Sequence, residues 1–330
     1  MTRLLLLVLA CVHAWPAAAD DANYAERAEV QQFIREVVER HGFLEQELLF
    51  LFSRVRRTEP VLESIKPPPK PRSWEEYRAN FVNPRRIAAG AAFWSTHRRA
   101  LEHAERRYRV PPEVIVAIIG IETFYGRNAG RWRVVDALST LAFDYPPRAS
   151  YFRGELEQYL LLTRESGADV FSMRGSYAGA IGIPQFMPGS VRRYAVDFDR
   201  NGTVDLRRSA PDAIGSVGNF LKQHGWQHAG EVLVEARVSG EAWRAAADGS
   251  VDPKHALADL RAAGVQLAQA PRDEEARAAL IELETPERPS EFRVAFRNFW
   301  VITRYNRSAF YASAVHDLAA ELKKAQERGK

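Results

Sequence analysis

The run VPPEVIVAIIGIETFYG at residues 110–126 constrains this chain more than any other stretch. Its proline pair suits the first turn of a helix, where a missing N–H costs nothing, and Glu113 suits the positive end of the helix dipole. Gly126 is the residue type that stops a helix in the left-handed conformation. Between these signals the helix is apolar on every side, which predicts that it is buried all round. Near its end sits Glu122. A carboxylate on a buried helix is costly unless paired or protonated, and that setting raises a glutamate's pKa toward that of a proton donor at neutral pH. Two readings stay open here: a catalytic acid, or a structural glutamate paired with Arg127 or Arg131.

The remaining composition describes a globular chain rather than a disordered one, with 46% hydrophobic and 27% charged residues in 330. That length suits two or three domains. The net charge of +4 comes from 46 basic and 42 acidic residues that are well mixed, which gives no case for nucleic acid as a partner. Residues 1–19 read as a secretion signal: Arg3, a short apolar run over 4–15, and Ala17-Ala18-Ala19 as a cleavage site before Asp20. The run is too short to span a bilayer, and no other segment could. The single cysteine, Cys11, lies inside it. Cleavage after Ala19 leaves a soluble, cysteine-free periplasmic protein, whereas processing at Cys11 leaves a lipid-anchored one. The first is favoured, because the apolar run before Cys11 is very short and a good cleavage site follows. Without disulfides, stability must come from core burial or a metal.

Periodicity predicts an amphipathic helix over 24–40, with Val30, Phe33, Ile34, Val37 and Val38 on one face and Gly42 ending it. A second helix is expected over 44–57, through Leu48, Phe52 and Val55. The proline-dense stretch 65–71 reads as a short extended spacer. A third helix is expected over 84–108, carrying Ile87, Ala91, Trp94, Leu101, Ala104 and Tyr108, and further helices over 134–143 and 148–164. The stretch GSYAGAIGIPQFMP at 175–188 cannot fill a core itself; its glycines let backbone approach a ligand or another helix, and both remain open. From Gly230 the texture changes to strands near Val232–Val238, Leu280–Leu283 and Phe292–Phe296, with helical pieces over 241–247 and 253–263 between them. A helix over 308–326 closes the chain, with Ala312, Val315, Ala319 and Leu322 on one face.

Asp197-Phe198-Asp199-Arg200-Asn201-Gly202-Thr203-Val204-Asp205 matches the first half of a calcium loop, D-x-D-x-N-G. Oxygens of Asp197, Asp199 and Asn201 converge, Gly202 allows the sharp turn, Thr203 offers a carbonyl, and Asp205 binds directly or through water. Position twelve is Arg208 instead of glutamate, so a longer loop has to use Asp212. The plain alternative is an Asp/Asn/Gly turn without metal. A calcium sensor is a weaker reading, since there is one loop and no Met-rich groove.

The segments Tyr77-x-x-x-Phe81, VPPEVIVAIIGIETFYGR, ALSTLAFDYPPRA with YFRGELE, GSYAGAIGIPQFMP, YAVDFDRNGTVDL, DAIGSVGNFLKQHGW and RYNRSAFY lie in this order over residues 74–311. In sequence and order they resemble the B-type lytic murein transglycosylases, periplasmic or lipid-anchored bacterial enzymes that cleave peptidoglycan glycan strands. The resemblance implies an α+β, mainly α fold: a lysozyme-like catalytic core over 110–229 with an EF-hand-like calcium loop, a helical domain over 20–109, a small α+β domain over 230–298, and a C-terminal helix over 299–330 returning to the helical domain. It implies that Glu122 is the catalytic acid. Ser176 and Gln185 match positions near the acid and the reacting sugar, and Tyr77, Tyr305, Asn306 and Tyr311 match other cleft positions. Tyrosine faces suit sugar C–H surfaces and their hydroxyls reach sugar polar groups. It also supports calcium on Asp197, Asp199, Asn201, Thr203, Asp205 and Asp212. Phe220 departs from the pattern by standing where a relative has a cleft tyrosine, which keeps packing and loses one hydroxyl. The tail of the metal loop is one residue longer before Asp212, and Val191 replaces an expected tyrosine.

Glycosidic cleavage usually uses two carboxylates. No second carboxylate has a comparable apolar setting; Asp136 and Asp144 are candidates by sequence distance alone. The chemistry implied by the resemblance needs one. Glu122 protonates the leaving oxygen of the MurNAc-β-1,4-GlcNAc bond, then takes the proton of the C6 hydroxyl as that oxygen closes a 1,6-anhydro ring, with no catalytic cofactor. A hydrolytic muramidase is the nearest rival, and a non-catalytic wall-binding protein the rival from another class. The expected partners are glycan strands and, in the cell, other wall enzymes; a monomer is expected.

Overall fold

The computed structural model describes residues 23–67, 70 and 72–328. The expected signal peptide with Cys11, and Pro68, Pro69 and Pro71 of the spacer, lie outside the described residues. The described chain divides into two compact units, one ending at Arg57 and one beginning at Thr58.

In the first unit, a 3-10 turn at Tyr24–Glu26 leads into α1 (Ala28–His41). It buries Val30, Phe33, Ile34 and Val37 at helical spacing and ends at Gly42, φ 64°. α2 (Glu45–Ser53) buries Leu48 and Phe52, and Phe33 meets Phe52 edge-on at 6.0 Å. α2 stops short of the expected residue 57. The Ser53 hydroxyl donates to the Phe50 carbonyl at 2.7 Å, a local bond that competes with the helix ladder.

The second unit opens with α3 (Glu59–Ile65) and α4 (Trp74–Phe81), neither marked by the sequence reading. α4 begins with a reciprocal cap in which Ser73 and Glu76 satisfy each other's backbone N–H. The single helix expected over 84–108 is two, α5 (Pro84–Thr96) and α6 (Arg98–Tyr108), broken at His97. The break lets the two halves choose different partners: α5 packs on α7 (Pro112–Thr123) and on the last helix, α6 on α7 and on a helix of the core's far side. Residues 114–121 of α7 are all buried, as the apolar pattern demands. Each of its buried valines and isoleucines contributes about 1.5–3 kcal/mol. Gly126 is not the stop residue. α7 ends at Thr123, and Phe124 (φ 51°), Tyr125 (φ 61°) and Gly126 (φ 85°) are left-handed in succession.

Next come β1 (Trp132–Arg133), α8 (Val134–Asp144), α9 (Ala149–Ser166), β2 (Arg174–Gly175), α10 (Pro188–Tyr194) and α11 (Ala210–Gln223). β1 and β2 pair antiparallel, and bridges from Gly175 to Ile181 and from Ile181 to Phe186 fold the glycine-rich stretch back on itself. Here the two readings of those glycines resolve. A Cβ on Gly130 would strike the Gly175 backbone, and one on Gly182, φ 74°, would strike the Leu206 carbonyl. The close approach is to backbone at Gly182 and to the Leu138 side chain of α8 at Gly179, φ 83°.

The α+β module holds β3 (Leu233–Val238), β4 (His255–Ala256), α12 (Leu257–Ala262), β5 (Val265–Leu267), β6 (Arg277–Leu283) and β7 (Glu291–Ala295). They form an antiparallel sheet of order β4-β6-β7-β3-β5. The three expected strands are its centre; β4 and β5 are short edges without a readable alternation. The module has its own core, including Val234, Trp243, Leu257, Leu260, Leu280 and Val294. α13 (Arg297–Ile302) leads out to α14 (Ala309–Arg328), which packs on α4, α5 and α7. The expected boundary at residue 109 is not where the compact units part, because α5 and α6 cover α7 directly. Asp317 of α14 accepts from Arg293 of β7 at 2.6 Å and from Arg78 of α4 at 2.7 Å, joining sheet, α4 and α14 at one carboxylate.

Candidate active site

Glu122 sits in the last turn of α7, partly exposed, while Ile121 and Thr123 on either side are buried. The helix end is fixed from three directions. The Thr123 hydroxyl donates to the Ile183 carbonyl at 2.8 Å and accepts from Gly126 N–H at 2.9 Å, tying α7 to the glycine-rich hairpin. The Arg86 guanidinium donates to the Gly120 carbonyl, placing a cation at the negative end of the helix dipole. Tyr125 folds back so that its hydroxyl donates to the Arg86 carbonyl at 3.0 Å, and its ring fills the space a Cβ on Gly120 would need, with Tyr125 Oη 2.6 Å away. The sequence reading missed Thr123 and Arg86; an alcohol closing an apolar helix was the only local hint.

Burial pushes the Glu122 carboxyl up to about 7, against the opposing pull of a hydrogen bond from Tyr311. The Tyr311 hydroxyl donates to Glu122 Oε1 at 2.6 Å. Among the described residues, no lysine or arginine pairs with Glu122. The two arginines proposed as partners lie on aromatic rings instead, Arg127 on Phe124 at 5.3 Å and Arg131 on Trp132 at 4.9 Å. Of the candidate second carboxylates, Asp136 is held by Arg133 at 2.6 and 2.9 Å, and neither it nor Asp144 acts on the Glu122 carboxyl.

Three tyrosines from separate segments surround the acid. Burial and the Glu122 charge together push the phenol of Tyr77 up to about 12 and those of Tyr305 and Tyr311 well above the ordinary value. Tyr77 comes from α4, Tyr305 from the turn after α13, and Tyr311 from α14. Tyr305 stacks on Tyr311 with ring centres 6.5 Å apart, and its hydroxyl donates to the Pro184 carbonyl at 2.6 Å. Phe220 does not stand as an exposed wall. It is 5% exposed and lies under Tyr305 at 4.8 Å, so it supports the neighbouring ring. Gln185 adopts φ 53° and donates from Nε2 to the carbonyls of Gly182 (2.8 Å) and Ala129 (3.2 Å), leaving its amide oxygen without a bonded donor among the described residues. Ser176 Oγ accepts from the N–H groups of Ala178 and Ala180, at 3.2 and 3.0 Å, which leaves its own proton to give. Asn306 is exposed in the turn that carries Tyr305.

The acidic loop gathers Asp197, Asp199 and Asp212, whose carboxylate oxygens lie within 4.8 Å of one another. Asp212 is fully buried at the start of α11 and accepts from Phe198 and Asp205 N–H, both at 2.8 Å. Asn201 Oδ1 accepts from Thr203, and Asp205 Oδ1 accepts from Arg207 and Arg208 N–H at 2.9 and 3.1 Å. Asp205 is therefore outside the three-carboxylate cluster. Three clustered carboxylates without a basic side chain among them, all hard oxygen donors, fit a calcium ion.

The comparisons with known proteins give the class to which a chain with this fold belongs. The chain is a member of the family described as Transglycosylase SLT domain, whose match spans residues 25–320. Membrane-bound lytic murein transglycosylase B of Escherichia coli (strain K12) is 40% identical over 306 residues, covering 90% of this chain and 83% of that protein. The crystal structure of the soluble lytic transglycosylase SltB1 of Pseudomonas aeruginosa is 45% identical, with TM-score 0.84 over 91% of this chain and 99% of that one. The Escherichia coli lytic transglycosylase Slt35 in complex with calcium is 39% identical, with TM-score 0.82 over 92% and 95% of the two chains. The mainly helical, lysozyme-like α+β architecture expected from the sequence is the one shared with these structures.

Proposed function

We propose that this protein is a peptidoglycan lytic transglycosylase that cleaves the MurNAc-β-1,4-GlcNAc bond without water. The observation that carries the reading is the solitude of Glu122: a carboxyl raised to about 7 with no second carboxylate acting on it. Hydrolysis by inversion or by a covalent intermediate calls for two carboxyl groups roughly 5–9.5 Å apart. A single acid near neutral pH can instead serve twice. Protonated Glu122 donates to the departing glycosidic oxygen as the C1–O bond breaks. The carboxylate then removes the C6 hydroxyl proton while that oxygen bonds to C1, giving a 1,6-anhydroMurNAc end. The substrate's own N-acetyl group stabilises the cationic centre between the two steps. Ser176, through its free proton, and Gln185, through its free amide oxygen, are suited to orient that group; Tyr77 and Tyr305 offer ring faces to the sugars, with Asn306 at the rim.

Calcium is proposed as a structural ion held by Asp197, Asp199, Asp212, the Asn201 amide oxygen and the Thr203 carbonyl. Bound there it would clamp the loop to α11 and take no part in the reaction. The chain is proposed to be exported by residues 1–19 and to work in the periplasm as a soluble monomer. No helix among the described residues is long and apolar enough to cross a membrane.

Digestion of purified murein sacculi tests the activity. The expected products are one water lighter than hydrolytic ones and lack reducing ends, and Glu122→Gln abolishes them. Reducing ends would make the protein a muramidase instead, and binding without soluble products would make it a wall-binding protein.

A further inference from the structure

Resting on the glycan-cleaving reading, we propose a second, outlying saccharide-binding site in a cavity between α9 and α10. The cavity measures about 390 Å³ and is lined by Ser150, Tyr151, Glu155, Gln158, Ser190 and Tyr194, among others. None of these residues belongs to the site around Glu122.

A series of aromatic rings connects the two places. From Tyr311, bonded to the acid, it passes to Tyr305 at 6.5 Å, to Phe220 at 4.8 Å, and to Tyr194 at 5.0 Å, and Tyr194 lines the cavity. Tyr311 and Phe220 are 2% and 5% exposed, so this series is packed interior, and it fixes Tyr194 of the cavity wall relative to Glu122.

The lining selects the ligand. Tyr151 is 42% exposed, unusual for a large ring here, and the Arg148 guanidinium lies over it at 4.6 Å, which holds the ring in place. An exposed, supported aromatic face is a platform for the C–H face of a sugar. Glu155 accepts from Gly189 N–H through Oε2 at 2.8 Å, and its Oε1 has no donor among the described residues. Burial raises the Glu155 carboxyl in spite of that bond and of Arg193, so a further donor there is favourable. A sugar hydroxyl or acetamido N–H supplies one. The hydroxyls of Ser150 and Ser190 are likewise without protein partners and can meet sugar oxygens. The polar lining disfavours a purely apolar ligand, and Arg193 in the same lining can face the lactyl carboxylate of a MurNAc unit.

The experiment uses the full chain carrying Glu122→Gln, so that nothing is turned over, and measures by calorimetry the affinity for peptide-free GlcNAc–MurNAc oligomers of increasing length. Affinity is expected to step up once the oligomer is long enough to reach Tyr151. Tyr151→Ala removes the ring, and Gly154→Trp fills the cavity from a position where an added Cβ meets nothing within 4 Å. Each should cut the step by about fivefold to tenfold. Both positions are exposed, and thermal melts check that the variants fold. A step that survives both substitutions overturns the proposal, as does one that appears only when the oligomer bears its stem peptide, which would assign the cavity to peptide. Length-independent binding by the parent also overturns the outlying site alone. A parent that binds no oligomer of any length overturns the glycan reading of Glu122 itself.

Discussion

At Glu122 two opposing effects set one proton affinity: burial raises it to about 7, and the hydrogen bond from Tyr311 restrains it. In the proposed mechanism Glu122 acts only while protonated, so kcat/KM should fall as pH rises through about 7. Tyr311→Phe removes the donor that favours the carboxylate, so the carboxyl pKa should climb further. The alkaline limb of the pH–rate profile then moves to higher pH. A limb that stays in place, or moves down, would mean that Tyr311 does not tune the acid. The acid was legible in the sequence because one apolar helix supplies its burial. Its hydrogen-bond partner was not, since Tyr311 lies 189 residues away and no spacing connects them. Phe220 shows the converse: its position in the chain suggested a substrate contact, and only packing revealed that Tyr305 covers it.

Among the elements, α14 carries Tyr311, and Asp317 in the same helix locks it to α4 and β7. Burial alone would raise the Asp317 carboxyl, but its bonds to Arg293 and Arg78 hold it below the usual carboxylate range. Its stabilising contribution is therefore present above the carboxyl's unfolded pKa and is lost as pH falls through the lower folded one. Asp317→Asn leaves the Arg293 side chain, 5% exposed, without its main counter-charge. The expected loss in urea denaturation is about 3–5 kcal/mol at neutral pH. Glu291→Gln, which touches the same arginine from a 56% exposed position, should cost less than about 1 kcal/mol. Equal losses would show that the buried pair is not what joins these elements. Nothing in the local sequence marked Asp317, because its helix reads as an ordinary amphipathic one. The break at His97 was hidden for a related reason: both halves keep helical periodicity, and only their separate packing partners part them.

Over the whole molecule, the acidic loop is tied to the core through Asp212, the fully buried first-turn residue of α11. Calcium should raise Tm, by about 2.7 kcal/mol of added stability at a hundredfold excess over Kd. Chelation should reverse the rise, and Asp197→Asn with Asp199→Asn should abolish it. Asp205→Asn, outside the carboxylate cluster, should leave most of it. A Tm indifferent to calcium would reduce the loop to an Asp/Asn/Gly turn. The amino-acid sequence by itself determined the buried α7, the raised carboxyl at its end, the α+β module and the oxygen-rich side chains of the loop, because each follows from neighbours within one turn, strand or loop. The tertiary structure alone decided that Tyr77, Tyr305 and Tyr311 converge on Glu122, that among the described residues no arginine or second carboxylate pairs with it, and that Asp212 rather than Asp205 completes the acidic cluster. Side-chain partners from distant segments meet only when α4, α7, α11 and α14 are packed, and packing leaves no period in the chain to read.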